Sequence, residues 1–365
     1  MKIVITGGHH SSALPVIQEL KKQQPDIQLV WIGHKYSMLG DKNPTLEYRE
    51  ITASGIPFYV LQAGKVYRTF SIVRLLKVPF GFIQAFFLLL KIKPDKILSF
   101  GGYLAVPVVV AGWLLGIPSA THEQTVVVGY ANKVIALFAK KIMLSWPSSA
   151  KFFNKKKVVF TGLPLRTEIY SRNSHEFDTD NSLPTIYITA GKTGSVKINK
   201  AVKEALSELL SVANVIHQCG DHSEYKDFDI LTIEYSKIDQ KVPGNYFLRK
   251  FVMSDAVGEA YAKANVVVSR SGAHTTAELL ALEKPCVLIP IPWVSHNEQF
   301  ENAKVLKEAG LATILEEKEL TPQNLVDTLK TVLRELTSIH LHDATLKDTI
   351  NPNAASVIAK TILAL

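Results

Sequence analysis

The side chains suited to moving protons sit in short glycine turns. Near the start of the chain, Thr6-Gly7-Gly8 leads into two histidines, His9 and His10. A glycine turn between a strand and a helix presents backbone N–H groups, a natural place for negative charge. Imidazole titrates near neutral pH, so His9 at a strand end has the chemistry of a general base. The same position also suits a helix-start histidine bonded to a nearby carbonyl. A second cluster sets Gly101-Gly102-Tyr103 and His122-Glu123-Gln124 at the ends of two neighbouring strands. Glu123 there could fix a histidine or receive a substrate hydroxyl. A buried His–Glu pair closing the sheet edge is the other reading.

Two further clusters suit a ligand rather than a proton. An apolar strand at 266–269 leads into Arg270-Ser271-Gly272-Ala273, with a helix opening near Thr275. Free N–H groups, a threonine hydroxyl and the helix dipole converge there, which suits a diphosphate. Glu278, one turn on, could accept both hydroxyls of a ribose; Thr275 and Glu278 also fit an ordinary capping box. At 289–303 a strand exits through two prolines into a loop with His296, Asn297, Glu298 and Gln299, hydrogen-bonding groups suited to a sugar or to a plain polar helix start. "AGKTGS" at 190–195 resembles a phosphate loop but lacks its first glycine, since position 186 is Ile. The acidic triplets at 178–180 and 227–229 end no apolar strand, so no metal site is expected.

These turns need elements to carry them. Runs at 2–5, 28–32, 58–61, 96–100, 119–122, 141–144 and 158–161 read as strands, separated by amphipathic runs such as 14–23 and 129–138. A polar stretch at 167–184 has no apolar period and reads as a linker. The rhythm then restarts with strands expected at 185–189, 214–218, 229–233, 246–250, 266–269, 286–289 and 312–315. Helices are expected at 196–210, 274–282, 300–309, 321–336 and 354–365. Alternating strands and helices indicate two doubly wound α/β domains with parallel sheets, and such sheets bind ligands beyond the carboxyl ends of their strands.

A length of 365 residues suits two domains. Only Cys219 and Cys286 are present, which excludes a disulfide framework and points to a reducing compartment. The first apolar run is too short for a signal peptide. The net charge of +8 is uneven: residues 1–166 hold 21 Lys and Arg against 7 Asp and Glu, and the remainder is acidic. A basic half attracts polyanions, but no basic–aromatic module supports nucleic-acid binding. Within it, residues 66–93 combine Arg68, Arg74, Lys77, Lys91 and Lys93 with phenylalanines that include Phe80 and Phe82. Its uncharged part, 78–90, is too short to span a bilayer. The mixture suits the surface of an anionic membrane; a buried helix is the other reading. Pro79 and Gly81 are expected to break one long helix into two.

Taken together, "TGGH" (6–9), "GGY" (101–103), "GIPSATHEQ" (116–124), "NK" (132–133), "TGLPLR" (161–166), "HQCG" (217–220), "RSGAHTTAE" (270–278) and "EQFENA" (298–303) make the chain resemble the MurG-type N-acetylglucosaminyltransferases that make lipid II. The likeness runs from Ile3 to about Leu315. It implies a GT-B fold, two Rossmann-like domains facing a central cleft. Residues 1–166 would hold an undecaprenyl-diphosphate-linked acceptor at the membrane. After the 167–184 linker, residues 185–350 would hold UDP-GlcNAc, and the helix at 351–365 would pack back toward the first domain. Transfer would be inverting, with no metal or other cofactor, at the cytoplasmic face of the plasma membrane.

Carried over residue by residue, His9 would be the base and Glu123 a catalytic partner. Thr6, Gly7 and Gly8 would line the phosphate and sugar edge, and Arg166 would anchor the donor. Lys192 and Thr193 would lie by the diphosphate, and Val252 would meet uracil through its backbone. The donor-binding run would be Arg270, Ser271, Gly272, Ala273, His274, Thr275, Thr276 and Ala277, with Ala273 to Thr276 on the diphosphate. Glu278 would hold the ribose, and Glu298 and Gln299 the sugar. Tyr103, His122, Gln124, Thr125 and Asn132 would form the acceptor side. The sequence departs from the family pattern in a shorter opening loop, in Thr125 and Leu163 where the family has Asn, and in Lys192 where it has Ser. Those departures leave room for another lipid acceptor such as diacylglycerol. A UDP-GlcNAc epimerase shares the fold but has no need of the Phe-rich basic segment. A non-catalytic binder is disfavoured by the joint presence of His9, Glu278 and Gln299.

Overall fold

Ile3, Val4 and Ile5 are all fully buried, yet they belong to two different cores. Successive strand side chains point to opposite faces, so a run buried throughout marks a sheet covered on both sides. The computed structural model describes the chain except for residues 37–43, 65–71, 180–181, 192–193, 223, 240, 343–345 and 347–348, and except for the side chains of 72–77 and 295. Two compact units result: Met1–Leu165 with Thr349–Leu365, and Arg166–Asp348.

The first unit carries strands β1 (Lys2–Thr6), β2 (Gln28–Gly33), β3 (Phe58–Val60), β4 (Lys96–Ser99), β5 (Ser119–Glu123), β6 (Lys141–Leu144) and β7 (Val158–Phe160). They form one parallel sheet in the order β3-β2-β1-β4-β5-β6-β7. Its helices are α1 (His10–Gln23), α2 (Leu46–Ala53), α3 (Ile72–Ile92), α4 (Ala105–Leu114) and α5 (Tyr130–Phe138). One face packs Ile3 and Ile5 against Val16 and Leu20 of α1. The other packs Val4 against Leu89 of α3, Val108 of α4 and Ile135 of α5.

The second unit has β8 (Thr185–Thr189), β9 (Asn214–Gln218), β10 (Tyr246–Arg249), β11 (Val266–Ser269), β12 (Cys286–Leu288) and β13 (Ala312–Ile314), in the order β10-β9-β8-β11-β12-β13, again all parallel. Its helices are α6 (Val196–Leu210), α7 (Asp227–Ser236), α8 (Val257–Lys263), α9 (Ala273–Ala281), α10 (Glu298–Glu308) and α11 (Pro322–Arg334). Val202 and Leu206 of α6 and Leu325 and Leu329 of α11 cover one sheet face. The final helix, α12 (Ala354–Leu363), belongs to the first unit, where Ile358 and Ile362 join the core beside α1. The Lys96 ammonium donates to the Leu363 carbonyl at 2.5 Å, a cation at the negative end of a helix.

Three sequence expectations are corrected. Residues 229–233 form part of α7 rather than a strand. The neighbouring strands β9 and β10 are parallel and consecutive, so a crossover must join them, and Asp227 and Asp229 favour a helix start. Pro79 and Gly81 do not break α3, which runs unbroken through both. A Cβ on Gly81 would stand 3.1 Å from the Ala63 Cα, so the glycine admits a close chain rather than a kink. The described residues 167–179 are anchored within the second unit rather than forming a free linker, with Ile169 buried. Phe177 is fully buried edge-on against Phe247, and the Glu259 carboxylate accepts the Glu176 and Phe177 N–H groups at 2.9 and 3.3 Å.

Candidate active site

Both sheets reverse their strand order at one point, between β1 and β4 and between β8 and β11. Open α/β sheets leave a crevice outside such a point. In the first unit the loops after β1 and β4 meet there. Gly8 N–H donates to the Gly101 carbonyl at 3.2 Å, and a Cβ on Gly7, at φ 131°, would fall 2.8 Å from that oxygen. Only glycine allows this approach.

Behind these loops lies a buried polar chain. Glu123 Oε2 accepts the Asn132 Nδ2 donor at 2.6 Å, and Asn132 Oδ1 accepts Gly102 N–H at 3.2 Å. The other oxygen, Glu123 Oε1, accepts the backbone and hydroxyl donors of Thr125 at 2.9 and 2.8 Å. Glu123 is 3% exposed and burial raises its carboxyl above the usual range. It therefore holds the glycine turn and does not line an open surface. It forms no pair with His122, whose Nε2 lies 3.1 Å from the Gly162 carbonyl and 3.2 Å from Ser145 Oγ. Gln124 accepts from Ser12 Oγ at 2.6 Å, so it ties α1 to β5. Tyr103 is the half-buried member of the acceptor-side set, with its hydroxyl 3.3 Å from His34 Nδ1.

His9 is the residue just before α1 and makes no side-chain cap bond to it. Burial, with a smaller push from His10, lowers its imidazole to about 4, so it is neutral at pH 7 and able to accept a proton. His10 instead faces Glu50, Nε2 to Oε2 at 3.0 Å. Thr6 is fully buried and Gly8 is exposed.

In the second unit the segments after β8, β11, β12 and β13, with the start of α6, line an open cavity of about 500 Å³. Arg270, Gly272, Thr275 and Gln299 line it. So do Ser195, the last residue of the "AGKTGS" turn, and three residues with no motif to mark them: Lys197, Trp293 and Glu317. Glu317 Oε2 takes the Arg270 guanidinium at 2.6 Å and its Oε1 takes the Lys197 ammonium at 2.6 Å. Arg270 also donates to Ser195 Oγ at 2.8 Å and to the Ile289 carbonyl at 3.0 Å. Two cations against one carboxylate, beside the first turn of α9, leave the cavity suited to an anion.

The helix at this turn starts at Ala273, with Gly272 as its cap residue and no side-chain cap bond, which corrects the expected start at Thr275. The capping-box reading of Glu278 fails with it. Glu278 instead takes Arg166 in a fork, Nε to Oε1 at 2.8 Å and Nη2 to Oε2 at 3.2 Å, and accepts the Tyr261 hydroxyl at 2.8 Å. Burial opposes the charge on Arg166, but Glu278 outweighs it and raises the guanidinium further. Ser271, Thr276 and Ala277 are fully buried behind the cavity wall. Ser271 Oγ donates to the Gln299 carbonyl at 2.7 Å and so fixes the start of α10. Ala273 is buried, and His274 and Glu298 are half-buried. Val252 N–H donates to Gln218 Oε1 at 2.8 Å, and among the described residues no hydrogen bond to its carbonyl is seen. Lys192 and Thr193 lie outside the described residues, and so do Arg68 and the side chains of Arg74 and Lys77.

Along α3, Phe80, Ile83, Phe87 and Leu90 are 44–63% exposed, while Ala85 and Leu89 are buried. Their three- and four-residue spacing makes one apolar stripe open to solvent. Phe82 is half-buried, and Lys91 is exposed with its ammonium 6.0 Å from the Tyr59 ring centre. Among the described residues, no helix is long and apolar enough to cross a membrane, and no group of His, Cys, Asp and Glu could hold a metal ion.

Comparison with known proteins bears on both units. Residues 4–144 match the glycosyltransferase family 28 N-terminal domain, and residues 185–360 match the family 28 C-terminal domain. A UDP-N-acetylglucosamine–N-acetylmuramyl-(pentapeptide) pyrophosphoryl-undecaprenol N-acetylglucosamine transferase of Bacillus cereus is 33% identical, over 89% of each chain. The protein of that name in Geobacillus kaustophilus is 34% identical over 89% of this chain and 88% of its own. The crystal structure of Acinetobacter baumannii MurG superposes with a TM-score of 0.72 at 26% identity, covering 100% of this chain and 99% of that one. A UDP-GlcNAc 2-epimerase from Neisseria meningitidis, at 15% identity and a TM-score of 0.63 over all of both chains, shares the fold.

Proposed function

Because this chain belongs to glycosyltransferase family 28, among its MurG-type N-acetylglucosaminyltransferases, we propose that it converts lipid I to lipid II in peptidoglycan synthesis. It would move N-acetylglucosamine from UDP-GlcNAc to undecaprenyl-diphosphate-MurNAc-pentapeptide, with inversion at the anomeric carbon. The observation that carries this reading is the anion-suited cavity at the switch point of the second sheet, in a chain that shares about a third of its residues with transferases of that name.

In the proposed reaction His9 accepts the proton of the acceptor's sugar hydroxyl as its oxygen attacks the anomeric carbon. The bond to UDP breaks on the opposite side, giving a β-1,4 linkage. A neutral imidazole is ready for that role. Charge building on the departing diphosphate meets the N–H groups of the α9 start and the Arg270 and Lys197 cations. These fixed groups act where a metal would in other transferases. Arg166 orients the Glu278 carboxylate toward ribose, the Val252 carbonyl accepts the uracil N3–H, and Gln299 meets the sugar. Glu123 acts through Asn132 on the Gly101-Gly102 turn, as a positioning residue.

The α3 stripe and the exposed Lys91 support binding to the cytoplasmic face of an anionic membrane, where a lipid-linked acceptor resides. The acceptor is tested by incubating the protein with labelled UDP-GlcNAc and separate vesicles of lipid I and diacylglycerol. Label in lipid I alone supports the proposal; label in diacylglycerol with none in lipid I overturns it.

A further inference from the structure

Trp293 is 70% exposed, although tryptophan has the largest apolar side chain available to a protein. It is no stray surface residue, because it lines the cavity of the second unit together with Ile291, Gln299 and Arg270. The loop that carries it is held from both sides. Ile291 N–H donates to Gln299 Oε1 at 3.1 Å, and Pro290 and Pro292 restrict the backbone around it. After it, His296 and Asn297 both adopt left-handed conformations, φ 57° and 53°, before α10 begins. The indole thus stands on a cavity wall, carried by a loop whose backbone is restrained on both sides.

Sheet order says which part of a ligand meets that face. The strands run β10-β9-β8-β11-β12-β13. Val252 follows β10, the anion-suited turn Arg270–Thr275 follows β11, and Trp293 follows β12. A sugar nucleotide with its base at the β10 end and its diphosphate at the start of α9 must extend its sugar toward β12. A pyranose ring with equatorial substituents presents axial C–H bonds on its faces, and these pack on aromatic rings.

We propose that Trp293 is a specificity residue that stacks on the pyranose ring of the donor sugar and takes no part in holding the nucleotide. This rests on the reading of the cavity as the donor site. The stacked face and the hydrogen-bonding Gln299 together recognise a hexose by shape and by hydroxyl. The face contributes binding only when a sugar is attached to the diphosphate.

The test compares UDP-GlcNAc with UDP. Of the four tryptophans, Trp31 and Trp146 are buried and Trp113 is 54% exposed outside the cavity, so Trp113→Phe leaves Trp293 as the exposed reporter. In that protein UDP-GlcNAc should quench the indole emission, and saturating UDP should leave it nearly unchanged. Trp293→Ala should raise the KM for UDP-GlcNAc by about tenfold, the effect of losing one apolar contact. It should leave inhibition by UDP within about twofold of wild type, and Trp293→Phe should recover most of the loss. Equal weakening of UDP and UDP-GlcNAc would place the ring on the base and overturn the proposal. An unchanged KM in Trp293→Ala would also overturn it. If the wild-type protein binds neither nucleotide, the donor reading of the cavity falls, and this inference falls with it.

Discussion

His9 draws its chemistry from its surroundings. Burial and the neighbouring His10 keep the imidazole neutral, so a histidine with an ordinary value near 6.5 titrates at about 4 here. A base must be unprotonated to act, and protonation of this one begins only as pH falls toward that value. The acid limb of kcat/KM for UDP-GlcNAc should therefore fall near pH 4 rather than 6.5, measured against pH at fixed acceptor. His9→Ala should lower kcat by about 10²–10⁴-fold with donor affinity retained; an unchanged kcat would show that another group takes the proton. Glu123→Gln tests the buried chain behind the turn. Its amide cannot accept every donor that the carboxylate accepts, so kcat should drop and Asn132→Ala should match it. The residue types and spacing of the glycine turns were legible in the sequence. Lys197, Glu317 and Trp293 were not, because they come from the first turn of α6 and from the loops after β13 and β12, and only the folded sheet brings them to one cavity.

At the scale of elements, the strands were readable because parallel strands buried on both faces are continuous apolar runs. The exception, 229–233, has strand-like residues, and the need for a crossover between β9 and β10 decided its structure. Pro79 is costly inside a helix by propensity, yet α3 continues through this exposed position, and Ala85, Leu89 and Ile92 further along bury the helix in the core. The outer face of α3 supports a concrete prediction. Phe87→Glu with Lys91→Glu should weaken sedimentation with vesicles containing anionic lipid and leave the melting temperature in place. Unchanged sedimentation would assign the stripe another role. On the opposite side, Ile358 of α12 is fully buried against α1. Ile358→Ala should cost about 2–5 kcal/mol of first-unit stability by denaturant titration.

At the scale of the whole molecule, acid favours the unfolded chain through two buried histidines. Burial lowers His122 in the first unit to about 4 and His217 in the second to about 3, the latter bonded to Tyr246 and Asn199. Unfolded histidines take up protons below about pH 6.5, and these two do not while folded. Stability is thus full above that pH and is lost as pH falls from 6.5 toward 4, by up to about 1.4 kcal/mol per pH unit for each histidine. Denaturant melts at pH 7 and 5 should show loss in both units, and His217→Gln should flatten the slope of the second.

The proposed reaction is a metal-free, inverting transfer of GlcNAc to the lipid-linked MurNAc acceptor. Its most direct test is the product formed from UDP-GlcNAc and lipid I with excess chelator present, analysed for linkage by NMR. One added GlcNAc in β-1,4 linkage is expected, at a rate equal to that without chelator. An α linkage, a chelator-sensitive rate, or no product would contradict it.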